Sequence, residues 1–179
     1  MRFAHSRIAS GVRQRGAVLV TAMLLLLVLT IIGVTVMQMS RMQERMAGNS
    51  RDVNLAFQAA EAGLRNAEQF IEDLEGAPVA CAPPAVCEVR LEGSMPGNIG
   101  LKNDAWWTAN GQGFGVASLQ SLHEPPRTVV EQLGFVRTDG GVVEGDVPDG
   151  RDFYQVTSRS TGGSGLADVV LQSTYTVKH

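Results

Sequence analysis

Residues 15–40 read RGAVLVTAMLLLLVLTIIGVTVMQMS and decide the fold of this 179-residue chain. No charged residue lies between Gly16 and Ser40. As a helix, the 22 residues from Gly16 to Met37 would measure about 33 Å, and the apolar core of a bilayer is about 30 Å thick. The segment therefore predicts a helix that enters a membrane.

The leader before this segment, residues 1–16, reads MRFAHSRIASGVRQRG and contains four arginines and no acidic residue. Three processing outcomes are open. A secretory signal has an apolar region of about 7–15 residues that ends at a small-residue cleavage site, whereas this region is longer and lacks such a site. An uncleaved anchor would keep the arginines on the cytoplasmic side. Cleavage after Gly16 on that side would leave Ala17 as the first residue, directly before the hydrophobic helix.

Two motifs follow the apolar segment: RMAGN at residues 45–49 and LAFQAAEAGLRNAE at residues 55–68. With the leader junction, they make residues 15–70 resemble the N-terminal region of PilX-type minor pilins of type IV pili, a prepilin family. The resemblance implies that Gly16 is the last leader residue and that Ala17 becomes an N-methylated mature N-terminus with a role in assembly. It also implies a single pass through the inner membrane with the C-terminal region in the periplasm, and then transfer to the pilus fibre at the cell surface.

Position 21 departs from the pilin pattern. Most pilins carry Glu at the fifth mature position, where its carboxylate meets the N-terminal amine of a neighbouring subunit, and this chain has Thr21. A Thr hydroxyl cannot make that charge pair, but it can donate to a carbonyl one turn earlier in the helix. Among pseudopilins, the same absence is typical of the GspK-like subunit at the fibre tip. Thr21 therefore favours a tip or priming position in assembly; the alternative is that the carboxylate is dispensable in a rare subunit.

The function that this resemblance implies is that of a minor pilin. Such a protein helps to initiate type IV pilus assembly, is incorporated at low copy at or near the tip, and supports adhesion and twitching motility. The expected partners are prepilin peptidase, the inner-membrane assembly platform, other minor pilins, the major pilin and a large tip adhesin.

Two other function classes remain open at this point. One is a pseudopilin tip subunit of a type II secretion system, although GspK-like proteins usually carry a large inserted helical domain for which 179 residues leave no room. The other is a permanently anchored exported domain that is unrelated to a fibre.

The rest of the chain predicts an α+β, pilin-like fold. Residues 17–40 form the transmembrane and assembly half of a long N-terminal helix, and apolar residues at spacings of three, four or seven continue it as an amphipathic half over residues 41–76. Gly76 and Pro78 are typical of a helix end. The last part of the chain, residues 77–179, is the predicted periplasmic region, with a disulfide loop followed by strands.

Three extended segments are predicted in this last region, at residues 128–137, 152–160 and 166–177. The glycine-rich loop 161–165 joins the last two as an antiparallel hairpin. In the first segment, Val129, Leu133 and Phe135 share one face. We therefore expect a small antiparallel sheet whose apolar face packs on the amphipathic half of the helix.

Cys81 and Cys87 enclose five residues, APPAV, in the predicted exported region. Two cysteines in such a compartment most often form a disulfide. A group of acidic residues further along offers weak calcium candidates, although their spacing is not that of an EF-hand and a solvated loop explains them better. These residues are Asp139, Glu144, Asp146, Asp149 and Asp152.

The sequence contains no recognisable catalytic constellation. His123 has no companion for metal or triad chemistry, because His5 lies in the leader and His179 is the last residue. Walker A and dinucleotide fingerprints are missing from the sequence. The net charge is −3, and removal of the four leader arginines would make it −7, which argues against a nucleic-acid groove. We therefore expect no enzyme activity, no cofactor and no nucleic-acid partner.

Overall fold

The computed structural model describes residues 15–74, 76, 78–82, 87–113, 121–137 and 150–178. Two compact units divide the chain, Met1–Ala47 and Gly48–His179. The elements are helix α1 (Arg15–Glu72), strand β1 (Val89–Arg90), a short 3-10 helix (Ile99–Leu101), helix α2 (Asp104–Asn110), and strands β2 (Arg127–Arg137), β3 (Gly150–Thr161) and β4 (Asp168–Lys178). The chain therefore has the predicted α+β organisation, with a long N-terminal helix followed by strands.

The first unit contains the N-terminal part of α1. This part is long and apolar enough to cross a membrane, with a mean hydropathy of 2.9 over its most apolar 18-residue window and no residue of that window buried within the chain. Leu, Ile, Val and Met dominate the sequence here, and the straight-chain residues among them have high helix propensity. An all-round apolar helix of this kind is suited to lipid or to the interior of an assembly.

The end of α1 lies four residues before the predicted one. Its last helical residue is Glu72. Hydrogen bonds of shorter sequence range follow: the amide of Leu74 donates to the carbonyl of Ile71, and the amide of Gly76 donates to the carbonyl of Leu74. Gly76 has φ of 125°, a region in which glycine is favoured. The glycine therefore belongs to the turn that follows the helix.

A four-stranded sheet in the order β1-β2-β3-β4 lies in the second unit. β2 pairs antiparallel with β3, and β3 pairs antiparallel with β4, which confirms the predicted antiparallel strands and the hairpin. The two-residue strand β1 was not predicted; it pairs parallel with β2 and makes the sheet mixed. A register shift interrupts β2 between Gln132 and Gly134.

One face of the sheet packs on the C-terminal part of α1. The helix contributes a stripe of small and aliphatic side chains, and the sheet contributes Val89, Val130, Tyr154 and Val156. The small residues allow close approach, since a Cβ on Gly63 would lie 2.5 Å from the Ser158 hydroxyl oxygen. The buried helix residues of this stripe are Ala56, Ala59, Ala60, Leu64, Ala67 and Ile71.

The opposite face of the sheet carries a second, smaller core. Met95, Trp107 and Val129 form it, with Trp106 packed at its edge. The two indoles meet edge to face, with ring centroids 5.3 Å apart.

The expectation that Val129 faces the helix is wrong, because successive side chains alternate across a strand and it is Val130 that lies in the core against α1. The side chain of Phe135, at the far end of β2, is exposed.

Candidate assembly surface and its supporting contacts

The N-terminal part of α1 presents the largest apolar surface of the described chain. Its large hydrophobic side chains between residues 18 and 46 are all exposed, from 48% at Val28 to 68% at Val18. Single exposed apolar residues are common in soluble proteins, but a continuous apolar surface of this size marks a membrane or an interaction site. This surface is therefore the candidate assembly site.

Thr21 lies on this surface, and its hydroxyl bonds within its own helix. The Thr21 Oγ1 donates to the carbonyl oxygen of Val18 over 3.0 Å. Thr30 and Thr35 make the same kind of bond, to Leu27 and Ile31. Back-bonding of this kind satisfies a Thr hydroxyl in an apolar environment. The helix thus buries no unpaired polar group at position 21 when it is covered by lipid or protein.

Gly16 and Ala17 lie in the first turn of α1, which begins at Arg15. Both residues are exposed. A Cβ on Gly16 would meet no atom within 4 Å, so the bond between Gly16 and Ala17 is not shielded by the described chain.

Asp52 of α1 holds the loop between β3 and β4. The backbone N–H of Ser164 donates to Asp52 Oδ1 over 3.0 Å, and the Ser164 hydroxyl donates to Oδ2. The hydrogen bond from the Ser164 hydroxyl, followed by those from backbone amides, lowers the pKa of Asp52 below its ordinary value. The loop has no room for larger residues, because a Cβ on Gly162 would lie 2.5 Å from the Asp52 carboxylate.

Two further acids of α1 bind β4. Glu68 accepts a hydrogen bond of 2.7 Å from the Ser173 hydroxyl, and Glu72 accepts one of 3.3 Å from the Tyr175 hydroxyl. Desolvation and the nearby Glu72 raise the pKa of Tyr175. These bonds fix the edge strand β4 to the helix, next to the buried core.

Arg159 of β3 links β3, β4 and α2 on the face of the sheet that is turned away from α1. It donates from Nε and Nη2 to both oxygens of Asp168 in β4 and forms an ion pair with Asp104 at the start of α2. Its side chain is 10% exposed. The hydrogen bond to Asp168 is the main reason why the pKa of Arg159 is raised. The bidentate pair fixes the guanidinium on β4, since pairs of this kind are geometrically specific. The ion pair with Asp104 then links the start of α2 to the sheet.

Cys81 and Cys87 form a disulfide. The amide of Cys81 donates to the carbonyl of Val89, and the amide of Leu91 donates to the carbonyl of Cys81, so the first cysteine extends the parallel edge of the sheet. The side-chain amide of Gln112 donates to the Cys87 carbonyl over 2.7 Å. The disulfide therefore closes a loop that is fixed to the sheet at both ends.

The predicted calcium candidates are not brought together by the residues that the structure describes. Asp139, Glu144, Asp146 and Asp149 lie outside the described residues. Asp152 lies on β3, is 5% exposed, makes an interaction of its own, and contributes to a raised pKa of about 12 at Tyr154, for which burial is the main cause. In the described part of the chain, no group of three or more His, Cys, Asp or Glu residues could hold a metal ion.

Comparison with known families accounts for both parts of this architecture. Residues 15–65 match the PilX N-terminal family model. Residues 72–177 match the model of the type IV pilus assembly protein PilX C-terminal region. The chain belongs to the PilX family. A PilX-family chain is a minor pilin of type IV pilus assembly, which works together with other pilins. The apolar helix is compatible with a single-pass membrane anchor.

No curated protein and no solved structure matches the chain significantly. The family assignment therefore rests on the two family models. Together they extend over the apolar helix, the disulfide and the sheet.

Sequence reasoning missed the contacts that organise the second unit of this PilX-family chain. Glu68 and Glu72 lie one helical turn apart, and Ser173 and Tyr175 lie two residues apart on a strand, which is the spacing that pairs a helix face with a strand face. This spacing can be read from the sequence, but many other pairs of polar residues have the same spacing, so it does not identify these contacts. Asp52 carried no comparable signal, because nothing near it in sequence indicates a loop 112 residues away.

Proposed function

We propose that this chain helps to initiate type IV pilus assembly from a position at or near the pilus tip. In this role it is present at low copy and supports adhesion and twitching motility. The observation that carries the proposal is at Thr21, where the hydroxyl bonds to the Val18 carbonyl within the helix. A subunit without a carboxylate here accepts a neighbour through its own amine but forms no charge pair in the other direction. A terminal position needs only one such contact.

The low-dielectric environment of a fibre core makes this difference important. A charge pair between carboxylate and amine is much stronger there than in water. A subunit inside the shaft that carries Thr21 leaves the amine of its neighbour without that partner, and an unpaired buried charge is costly. A subunit at the tip has no such neighbour above it. The family match favours a pilus over a type II secretion system as the fibre concerned.

Maturation in this proposal begins with cleavage after Gly16 by prepilin peptidase and N-methylation of Ala17. Residues 17–40 then hold the protein in the inner membrane and later enter the fibre core, with residues 41–76 as the amphipathic half-helix and residues 77–179 in the periplasm. The exposure of Gly16 and Ala17 supports access to the cleavage site. The further partners are the inner-membrane assembly platform, the major pilin, other minor pilins and a large tip adhesin. The role is structural rather than catalytic.

The position in the fibre is tested by Thr21→Glu in a strain with no other copy. At a tip position, the new carboxylate has no amine to meet and costs about 2–3 kcal/mol on membrane insertion, so piliation and twitching weaken or stay unchanged. Thr21→Val is the matched control, because it removes only a hydroxyl that is bonded within the helix. Immunogold labelling of sheared pili is expected at fibre ends. Label along the whole shaft, or a clear gain in piliation from Thr21→Glu, contradicts the tip position.

The maturation step is tested separately by mass spectrometry of the purified protein. We expect a chain that starts at methylated Ala17. Gly16→Val places a branched side chain at the cleavage site, and we expect the uncleaved chain to accumulate in the inner membrane. A chain that starts elsewhere, or normal maturation of Gly16→Val, contradicts the assignment of the leader.

A further inference from the structure

A cavity of about 250 Å³ lies on the face of the sheet that is turned away from α1. Strands β2, β3 and β4 form its floor, and the segment Met95–Gly100 forms its wall. Gly97, Gly100 and Gln172 are exposed, so the cavity opens to solvent. Its lining combines polar side chains of the sheet with a few apolar groups: Met95, Pro96, Ile99, Glu131, Gln155, Thr157, Val170 and Gln172, together with the two glycines.

The polar side chains of this cavity lie in two neighbouring rows of the sheet. Glu131 is the cross-strand partner of Gln155, and Thr157 is the cross-strand partner of Gln172. Glu131 is 8% exposed and Thr157 is 5% exposed. The alternation of side chains along each strand places all four on the cavity face.

These four side chains have no hydrogen-bond or ion-pair partner among the residues that the structure describes. On the helix-facing side of the same strands, Thr128 donates a hydrogen bond of 3.1 Å to Ser158. Buried polar groups are nearly always paired, with protein or with solvent. Glu131 is more than nine-tenths buried as a residue, but its carboxylate oxygens are not among the fully buried atoms that lack a partner. They therefore meet the solvent of the cavity, and a ligand that supplies hydrogen-bond donors can replace that solvent.

The charge of Glu131 selects the kind of donor. Burial of a carboxylate is costly unless a cation or several hydrogen bonds accompany it. The two amide carbonyls and the Thr157 hydroxyl can accept further hydrogen bonds from the same ligand. Met95, Ile99 and Val170 supply an apolar wall beside these acceptors. This combination suits a cationic group on a short alkyl stem, and the cavity volume lies below that of typical drug-sized pockets.

The neighbouring arginines do not fill this role. Arg90 is the parallel register partner of Glu131, but it does not line the cavity and makes an interaction of its own. Arg159, further along β3, is held by Asp168 and Asp104. We propose that the cavity binds an alkylammonium or alkylguanidinium group through Glu131. The group comes either from a free cationic amine or from a Lys or Arg side chain of a partner protein.

The test is calorimetric titration of the full chain in detergent micelles. The probes are n-butylguanidinium and its neutral isostere n-butylurea. We expect saturable binding of n-butylguanidinium and binding of n-butylurea that is weaker by about tenfold or more, since charge-assisted hydrogen bonds to a carboxylate are roughly twice as strong as neutral ones. Equal binding of both probes, or no saturable binding of the cation, overturns the proposal.

Three variants locate the site. Glu131→Gln keeps the shape of the side chain and is expected to weaken binding of n-butylguanidinium by about tenfold or more. Glu124→Gln changes an exposed acid outside the cavity lining and is expected to leave binding unchanged. Gln155→Lys places an ammonium opposite Glu131 and is expected to abolish binding while the fold is kept. An unchanged affinity in Glu131→Gln, or in Gln155→Lys with native circular dichroism, overturns the proposal.

A second probe distinguishes the two sources of the cation. N-acetyl-arginine methylamide carries the guanidinium on a peptide backbone. Tighter binding of this compound than of n-butylguanidinium assigns the site to a partner side chain, and weaker binding assigns it to a free amine. In both cases Glu131→Gln must weaken binding of the probe. If either probe binds the Glu131→Gln variant as tightly as it binds the parent chain, the proposal is overturned.

Discussion

Asp52 and Ser164 are 112 residues apart in the sequence, and Ser164 donates both its backbone N–H and its hydroxyl to the Asp52 carboxylate. The serine hydroxyl also accepts a hydrogen bond of 3.1 Å from the amide of Leu166. One carboxylate thus organises the loop between β3 and β4 and fixes it to the helix.

This contact predicts a pH-dependent effect of Asp52→Asn. The hydrogen bonds lower the pKa of Asp52 from its ordinary value of 3.8. A lowered pKa means that the stabilising contribution is complete well above pH 3.8 and is lost as the pH falls through the folded-state pKa. We expect Asp52→Asn to lower the melting temperature of the full chain in micelles at pH 7 and to have little effect at the acid end of the titration.

Asp73→Asn is the control for this experiment, because Asp73 is an exposed acid just after α1. It is expected to leave the melting temperature unchanged at both pH values. A melting-temperature difference between Asp52→Asn and the parent that persists undiminished at the acid end would refute the role of the ionised carboxylate.

Gly63 and Gly48 form a matched pair for the helix–sheet contact. A Cβ at Gly63 would lie 2.5 Å from Ser158 Oγ and 3.0 Å from Thr128 Oγ1, whereas a Cβ at Gly48 would meet no atom within 4 Å. Overpacking predicts that Gly63→Ala lowers the free energy of unfolding by about 1–3 kcal/mol. Gly48→Ala is expected to raise it by up to about 1 kcal/mol through helix propensity. Chemical denaturation measures both, and stabilisation by Gly63→Ala would contradict the close approach.

Arg159→Lys probes the positioning of α2. A lysine ammonium cannot reproduce the bidentate contact with Asp168 and the ion pair with Asp104 together. Because Trp107 on α2 is only 1% exposed, loosening of α2 is expected to shift its fluorescence emission to the red. Arg151→Lys, at an exposed position of the same strand, is the control. Identical emission spectra for Arg159→Lys and the parent would show that packing alone holds α2.

Cys87→Ser tests the disulfide. The loop it closes is short, with a sequence separation of 6, so the expected loss of stability is about 2 kcal/mol, the low end of the usual range. Since Leu91 donates its amide to Cys81, we also expect faster hydrogen exchange at Leu91. Thiol labelling of the native parent chain is the companion measurement. Two freely reactive thiols in that chain would contradict an oxidised pair.

The sequence was sufficient for the parts of the fold that depend on local pattern. The uncharged run after Gly16 predicts the apolar helix, and its continuation at helical spacing predicts the buried stripe that includes Leu64 and Ile71. The glycines of loop 161–165 predict the hairpin. Each of these signals lies within one element or between neighbours, where periodicity and turn chemistry act directly.

Features that depend on distant partners were not predicted. Strand β1 is only two residues long, too short for an alternating pattern. Val129 was assigned to the wrong face because both sides of β2 carry apolar residues, and only the position of α1 decides which side is inner. The contacts of Asp52 and Arg159 and the cavity at Glu131 likewise exist only once the strands are paired. The site residues Gly16, Ala17 and Thr21 remain predictions from the sequence.

The order of the strands in the sheet is also their order in the chain, and this determines when the second unit can finish folding. Sequential antiparallel strands pair locally and rapidly. The helix, however, meets the last strand across long separations, such as the 105 residues between Glu68 and Ser173. Until β4 has been synthesised, the face of α1 around Ile71 lacks its full cover and exposes apolar surface to proteases and chaperones. A chain that ends before β4 therefore keeps part of the buried stripe of α1 uncovered, however well its first strands pair.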